Sequence, residues 1–517
     1  MNNSKKYSTR QKIGLFLGIF LFVLMLFIPS PEGMSPSAQR MGAVVLLMAT
    51  WWITEALPIA VTSLLPIPLY PLLGIMNSSE VTPNYTDHLV FLFLGGFIIA
   101  LAIQKWELHK RIALHIIKFI GTSPQRLVLG FMCATAFLSM WISNTATTML
   151  MLPIVMAVVV QLSEGREDEN FIKLKFGLVM MLAIAYGANA GGVGTLIGTP
   201  PNVIFAGFVK KLFPEAPEVT FLQWMKIGIP VVLLFLPVAW FYLCNFASGV
   251  KLKNLNIVQA EDVIGEQIKK LGKMNSGEKW VLVIFTLTAL LWIFRKPLDL
   301  GILEIPGWSS FLGEPKFISD ATVAVFMALL LFLIPVKKEK AGKKKTSFLM
   351  DWHTAEKGVP WGVLLLFGGG FALASGMDTT GLSRWIAGKL QTFAGVPPIL
   401  MIPLICLSFT FLSEITSNTA MSAMMMPVLA STAVGAGMHP FLLMIPATLS
   451  NSYAYMMPVG TPPNAIVFGS GWVTIPRMAR AGFFMNLLGA VIITLVVYFI
   501  AVPVFGINFG EIPLWVK

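Results

Sequence analysis

Apolar residues in this chain come in long continuous runs, separated by short polar clusters and punctuated by Gly and Pro. Several runs reach the roughly 17–25 residues that carry an α-helix across a bilayer. A membrane barrel would show alternating segments of about ten residues instead. The pattern predicts an all-α polytopic membrane protein. Spans are expected near residues 13–28, 38–55, 59–75 and 88–104, with Pro58, Pro66, Pro68 and Pro71 kinking the third. An amphipathic piece from Trp106 to Lys118 is expected to lie along the membrane surface. Residues 125–162 hold two apolar stretches, each slightly short for a crossing, around the polar triplet Ser143-Asn144-Thr145. A re-entrant hairpin is the reading, because non-helical backbone at membrane depth needs a protein or water lining. The next span starts near Phe176 and breaks at Gly191 to Gly194 and at Gly198-Thr199-Pro200-Pro201-Asn202; another covers 226–248.

The order then recurs. Spans near 280–294 and 319–336 precede Leu366 to Phe371, which mirrors Phe93 to Phe97. A second amphipathic piece runs from Leu382 to Leu390, and a second hairpin at 398–436 carries Ser417-Asn418-Thr419 at its tip. A broken span at 440–472 carries Gly460-Thr461-Pro462-Pro463-Asn464, and a last span covers 482–504. The expected organisation is N-terminal scaffold spans in 1–87, a first inverted repeat in 88–248 and a cytoplasmic linker helix in 249–279. Scaffold spans with a lysine-rich loop follow in 280–358, then the second half in 359–517. In all, about eleven transmembrane helices and two re-entrant hairpins form scaffold and transport domains. With the N-terminus in the cytoplasm, most of the 37 Lys and Arg fall on cytoplasmic segments, as the positive-inside rule requires. The ends of the first hairpin then lie inside and those of the second outside, so the repeat is inverted.

Composition narrows the classes. The 517 residues are 56% hydrophobic and 12% charged, about half the charge of a soluble domain. The net charge of +12 sits in short loops, which does not point to nucleic acid. The first run imitates a signal peptide but lacks a small-residue cleavage site, so it is read as a retained span. Cys133, Cys244 and Cys406 lie singly, and the five His are scattered, so neither a disulfide framework, a metal cluster nor an embedded enzyme is expected.

Polar, helix-interrupting motifs at matching points of two apolar halves mark a transporter's binding site. A helix that begins at a Ser-Asn-Thr tip offers free backbone N–H groups and a positive dipole end, which suit a carboxylate. The helix that ends there offers free carbonyls, which can hold a small hard cation together with Asn and Ser oxygens. No Lys or Arg lies in any of the four motifs. Desolvating a dianion without a fixed cation is costly, so mobile cations are expected to travel with the substrate.

These paired triplets, both Gly-Thr-Pro-Pro-Asn loops and the stretch Trp51-Trp52-Ile53-Thr54-Glu55-Ala56-Leu57-Pro58 resemble the divalent anion–sodium symporter family. The resemblance spans nearly the whole chain. It implies a homodimer in the plasma (inner) membrane, working by an elevator-type motion. By motif, Ser143, Asn144, Thr145, Thr199, Ser417, Asn418, Thr419, Thr461 and Pro462 resemble the substrate-binding set. Ser139, Ser143, Asn144 and Gly198 resemble a first sodium site, and Ser413, Thr416, Asn418 and Gly460 a second. At Ser413 some relatives carry Thr. The implied function is sodium-coupled symport of C4-dicarboxylates (succinate, fumarate, malate), with Na+ as coupling ion. A sodium-independent dicarboxylate exchanger, or citrate or sulfate as substrate, stays open as the alternative.

Other polar residues carry weaker expectations. Glu414 stands in an apolar hairpin arm where the first repeat has Met140. It is expected either to tune cation binding at the second hairpin or to face an aqueous vestibule. Glu55 is expected to help hold the second helix, Asp378 to sit at an interface, and His109 and His115 to be solvated. The methionines are read as adaptable packing, and the run Lys337 to Lys345 as a topology anchor.

Overall fold

The computed structural model of the chain describes residues 7–163, 169–249, 252, 260–299, 304–340, 343–389, 397–509 and 511–516. Among these, eight helices are long and apolar enough to cross a membrane, and shorter apolar helices lie between them. The two halves trace one order of elements.

At the N-terminus, Ser8 and Gln11 form a reciprocal cap for the helix Thr9–Phe27, which packs along Pro36–Thr54. Gly14 and Gly18 permit the approach: a Cβ on Gly14 would lie 2.0 Å from Thr54 Oγ1. The expected third span is two short helices, Ile59–Thr62 and Pro66–Leu72. Pro66, Pro68 and Pro71 withhold three backbone donors, so a continuous ladder cannot form. Glu55 does hold the second helix, but through its backbone. It takes a left-handed conformation (φ 52°) at the helix end, its carbonyl accepts from Gln11 Nε2 at 3.1 Å, and its side chain is exposed.

The helix His88–Lys105 packs on Asp320–Leu333, where a Cβ on Gly95 would touch the Ala324 carbonyl carbon at 2.6 Å. The amphipathic helix Leu108–Ile120 follows. Arg111 anchors it, with its guanidinium 3.0 Å from Glu278 and donating to the carbonyls of Leu271 and Gly272. These bonds also fix the end of the helix Ala260–Leu271, inside the expected linker, and the start of Ser276–Ile293. His115 is exposed, as expected, but His109 is buried. It shares the apolar face with Ala113 and Ile117, and its Nδ1 lies 3.2 Å from the Ile103 carbonyl.

The first hairpin has arms Pro124–Ser139 and Asn144–Ser163; its broken helix is Glu169–Gly192 followed by Pro200–Leu212. The second hairpin has arms Pro398–Ser413 and Asn418–Gly435; its broken helix is Phe441–Ser450 followed by Pro462–Phe468. Each hairpin packs on its own broken helix. The half-helix after each break then crosses to the second arm of the other hairpin. The two repeats therefore interlock as one block.

Between the halves, Arg295 is buried against Asp320 (2.6 Å) and Glu218 (2.8 Å), closing the loop that follows Ser276–Ile293. The strands Pro335–Lys340 and Lys343–Phe348 pair antiparallel. The anchoring role expected of the lysine run falls mostly on side chains outside the described residues. Asp378 is exposed in the last turn of Trp361–Thr379. The final helix begins at Ile475, not 482, because Thr474 and Pro476 start it ahead of Arg477 and Arg480.

Small residues set the closest contact in the first repeat. Cβ atoms on Gly187 and Gly191 would lie 2.7 Å from the Met132 carbonyl oxygen and 2.2 Å from that of Ala136. This is the Gly-x-x-x-Gly approach of membrane helices. Gly191→Val should abolish the monodisperse peak of the detergent-extracted protein in size-exclusion chromatography. Gly313→Val, in open space at a loop, should leave that peak unchanged.

Candidate functional site

The tip of the first hairpin is a tight reversal between Ser139 and Asn144. Ser143, Asn144 and Thr145 are half-buried, and Ala146 N–H donates to Ser143 Oγ at 3.4 Å. Ser139 is fully buried, and its hydroxyl lies 2.7 Å from Asn144 Oδ1 and 2.8 Å from the Ala188 carbonyl. One hydroxyl proton serves only one of them at a time, so this corner is richer in oxygen than in hydrogen. Two glycines keep it open. A Cβ on Gly192 would lie 2.5 Å from Asn144 Oδ1, and one on Gly198 would lie 2.4 Å from the Gly192 carbonyl and 3.0 Å from that of Ser139. Across the break, Asn202 Nδ2 donates to the carbonyls of Gly192 (3.1 Å) and Thr195 (2.7 Å), and Thr195 Oγ1 donates to the Met140 carbonyl. Thr199, at the head of Pro200–Leu212, is buried.

The second tip follows the same plan with different side chains. Ser417, Asn418 and Thr419 are half-buried, and Ser417 Oγ accepts from Ala420 N–H at 3.5 Å. Asn464 Nδ2 donates to Ala454 and Met457, 3.0 Å each, as Asn202 does in the first repeat. Ser413 and Thr416 donate to helix carbonyls, each at 2.8 Å. Asn451 Nδ2 reaches the Asn418 carbonyl (2.6 Å) and Ser422 Oγ (2.7 Å). Thr461 is buried and accepts from Asn464 N–H (3.4 Å), while Pro462 is exposed.

Glu414 does not face a vestibule. It is 3% exposed, and its carboxylate accepts from Met456 N–H, Met457 N–H and Asn486 Nδ2, each at 2.8 Å. A Cβ on Gly460 would lie 2.7 Å from Glu414 Oε2.

The shortest hydrogen bond from the first broken helix to the second break is the one Asn189 Nδ2 donates to Thr461 Oγ1 at 2.9 Å. Longer ones at 3.5 Å run from the same amide to the Ala454 carbonyl and Asn464 Oδ1, and from the Tyr186 hydroxyl to the Tyr455 carbonyl. The two triplets themselves share no hydrogen bond among the described residues. Sequence reasoning missed Asn189 and Asn451, although both stand at the same distance ahead of their Gly-Thr-Pro-Pro-Asn motif. It also missed Asn486 and Arg10, whose guanidinium donates to Ile53 and, at 3.3 Å, to the Ile415 carbonyl beside the second tip.

Oxygen atoms without donors collect around both breaks. Asn189 Oδ1, Asn202 Oδ1, Asn418 Oδ1, Asn451 Oδ1, Ser450 Oγ and Ser452 Oγ are buried without a hydrogen-bond partner. Such atoms are costly unless a donor or a cation meets them. The donor set of hydroxyl, amide and carbonyl oxygens fits a hard monovalent cation.

Comparison with known proteins decides the family. The profile described as "Sodium:sulfate symporter transmembrane region" matches residues 9–506. The chain belongs to that family. Relatives agree over the full length. "Sodium-dependent dicarboxylate transporter SdcS" of Staphylococcus saprophyticus is 45% identical over 516 residues, covering 99% of this chain and 96% of that one. The protein of the same name from Staphylococcus aureus strain MRSA252 is also 45% identical, covering 99% and 95%. Among solved structures, the Alcanivorax borkumensis YdaH transporter shares the fold with a TM-score of 0.59 at 15% identity, covering 88% of this chain and 98% of that one. Family and helices together make the chain a multi-pass membrane transporter and not an enzyme.

In this family frame, Asn202 and Asn464 hold the two breaks open by occupying carbonyls the interrupted helices leave free. Asn202→Ala or Asn464→Ala strands two buried carbonyls, at about 1–3 kcal/mol each. Either variant should lower the unfolding temperature in detergent by several degrees. Asn245→Ala, which loses one exposed local bond to Phe241, should not.

Proposed function

We propose that the protein is a sodium-coupled symporter of C4-dicarboxylates such as succinate, fumarate and malate. The observation that carries this reading is the pairing of two oxygen-rich, cation-fitting corners around a site whose four motifs contain no Lys or Arg. A dianion entering such a site needs positive charge brought with it. Helix N-termini at Asn144 and Asn418 offer N–H groups to its carboxylates. Ser143, Asn144, Thr145, Thr199, Ser417, Asn418, Thr419, Thr461 and Pro462 form the substrate-contacting set. Ser139, Ser143, Asn144 and Gly198 hold one sodium ion, and Ser413, Thr416, Asn418 and Gly460 the other. The relatives' names, sodium-dependent dicarboxylate transporters, support substrate and coupling ion together.

Two cradles, one at each hairpin tip, suit an elongated substrate with a carboxylate at each end. Interlocked hairpins and broken helices suit an elevator motion, in which one block carries the site past a scaffold. Ile415 and Val459, beside the second tip and its break, are exposed, and the Arg10 guanidinium reaches the Ile415 carbonyl. On this reading the carrier sits in the plasma membrane as a homodimer with its N-terminus in the cytoplasm.

Labelled-succinate uptake into proteoliposomes tests this reading. Uptake into empty vesicles should rise steeply with external sodium and stay at background in choline. Asn144→Ala and Asn418→Ala should each reduce it more than about tenfold. Sodium-indifferent uptake confined to preloaded vesicles would replace symport by exchange. Sulfate or citrate uptake in place of succinate would replace the substrate.

A further inference from the structure

The two hairpin tips differ in charge at one matched position. The first tip has Met140, whose side chain packs against Gly194; the second has Glu414. The carboxylate is buried, and all three of its hydrogen-bond donors are neutral: two backbone N–H groups and an Asn amide. No ion pair reaches it among the described residues. Its Oε2 would stand 2.7 Å from a Cβ on Gly460, and Ser413 is its chain neighbour. Asn418 Oδ1, Asn451 Oδ1, Ser450 Oγ and Ser452 Oγ, all buried without donors, belong to the same repeat. A negative charge held only by neutral dipoles in a low-dielectric interior raises the affinity of a nearby pocket for a cation. The first pocket has the oxygens without the charge.

We propose that Glu414 is the fixed countercharge of the second cation pocket, so that this pocket takes its sodium ion first and holds it more tightly than the first pocket does. This rests on the sodium-coupled reading above. Three N–H donors already occupy the carboxylate oxygens, so Glu414 acts as a positioning charge beside the pocket and not as a ligand. The order of binding follows: the first sodium ion neutralises Glu414 and removes the repulsion that a dianion entering beside it would feel. The second pocket is thus the gatekeeper of substrate binding.

The test is thermal stabilisation of the purified protein in detergent as NaCl replaces choline chloride, with no dicarboxylate present. In wild type, sodium should raise the unfolding temperature, and succinate in choline should not. Glu414→Gln should move the sodium midpoint up by about tenfold or more, whereas Glu414→Asp, which keeps the charge on a shorter arm, should stay within about threefold. A carboxylate that merely fastens the break predicts instead a lower sodium-free unfolding temperature for both variants with the sodium midpoint in place, because Asp shortens the clasp and the Gln NH2 meets an N–H donor where an oxygen accepted. Midpoints equal in wild type and Glu414→Gln would overturn the proposal while leaving symport intact; no sodium effect in wild type would overturn both. A second pair of variants keeps the question open to decision if Glu414→Gln does not fold. Asn418→Ala should raise the midpoint of the tightest sodium event and Asn144→Ala should leave it in place, and the reverse result would also overturn the assignment.

Discussion

A helix that stops at membrane depth leaves backbone groups that water cannot satisfy. Two hairpin tips and two broken helices impose that problem here, and the answers they receive make up the site. Ser143 and Ser417 cap the second arms, and Asn202 and Asn464 each bind two carbonyls across a break. Glu414 takes the N–H groups of Met456 and Met457. What these bonds leave over is mostly oxygen: the Oδ1 atoms of Asn189, Asn202, Asn418 and Asn451. Structure and cation affinity are thus two sides of one accounting of hydrogen-bond donors.

The duplication supplies the frame, and departures from it supply direction. Asn202 and Asn464 repeat each other in the two carbonyls their amides bind. Asn189 and Asn451 do not: the first crosses to Thr461, while the second stays with its own hairpin at Asn418 and Ser422. Thr195 fastens the first break to the Met140 carbonyl through a hydroxyl, where the second break is fastened to Glu414 through Met457 N–H. Equal halves would give a site indifferent to which face it meets. Unequal ones are what the proposed order of filling rests on.

Much of this was legible in the chain. Both tips, both breaks and the repeated order follow from polar motifs repeated in apolar surroundings, since few other reasons put Ser, Asn and Pro at membrane depth. Three places resisted. Three prolines in residues 66–71 permitted a kinked span or two short helices, and only packing separates these. His109 was taken for a solvated residue because it is polar, although its spacing from Ala113 and Ile117 placed it on the buried face. The last helix was started too late because Arg477 and Arg480 resembled a loop. Partners such as Asn486 for Glu414, or Arg10 for Ile415, are far apart in sequence and became visible only with the fold.

The central claim is that cations complete a site whose four motifs carry no fixed positive charge. The most direct measurement is the flux ratio: labelled sodium and labelled succinate counted together in one proteoliposome preparation, with membrane current recorded in parallel. The account predicts at least two sodium ions moved with each dicarboxylate, and inward current wherever the count exceeds two. A ratio of one or less would contradict it, because a single cation leaves one of the two oxygen-lined corners without a purpose.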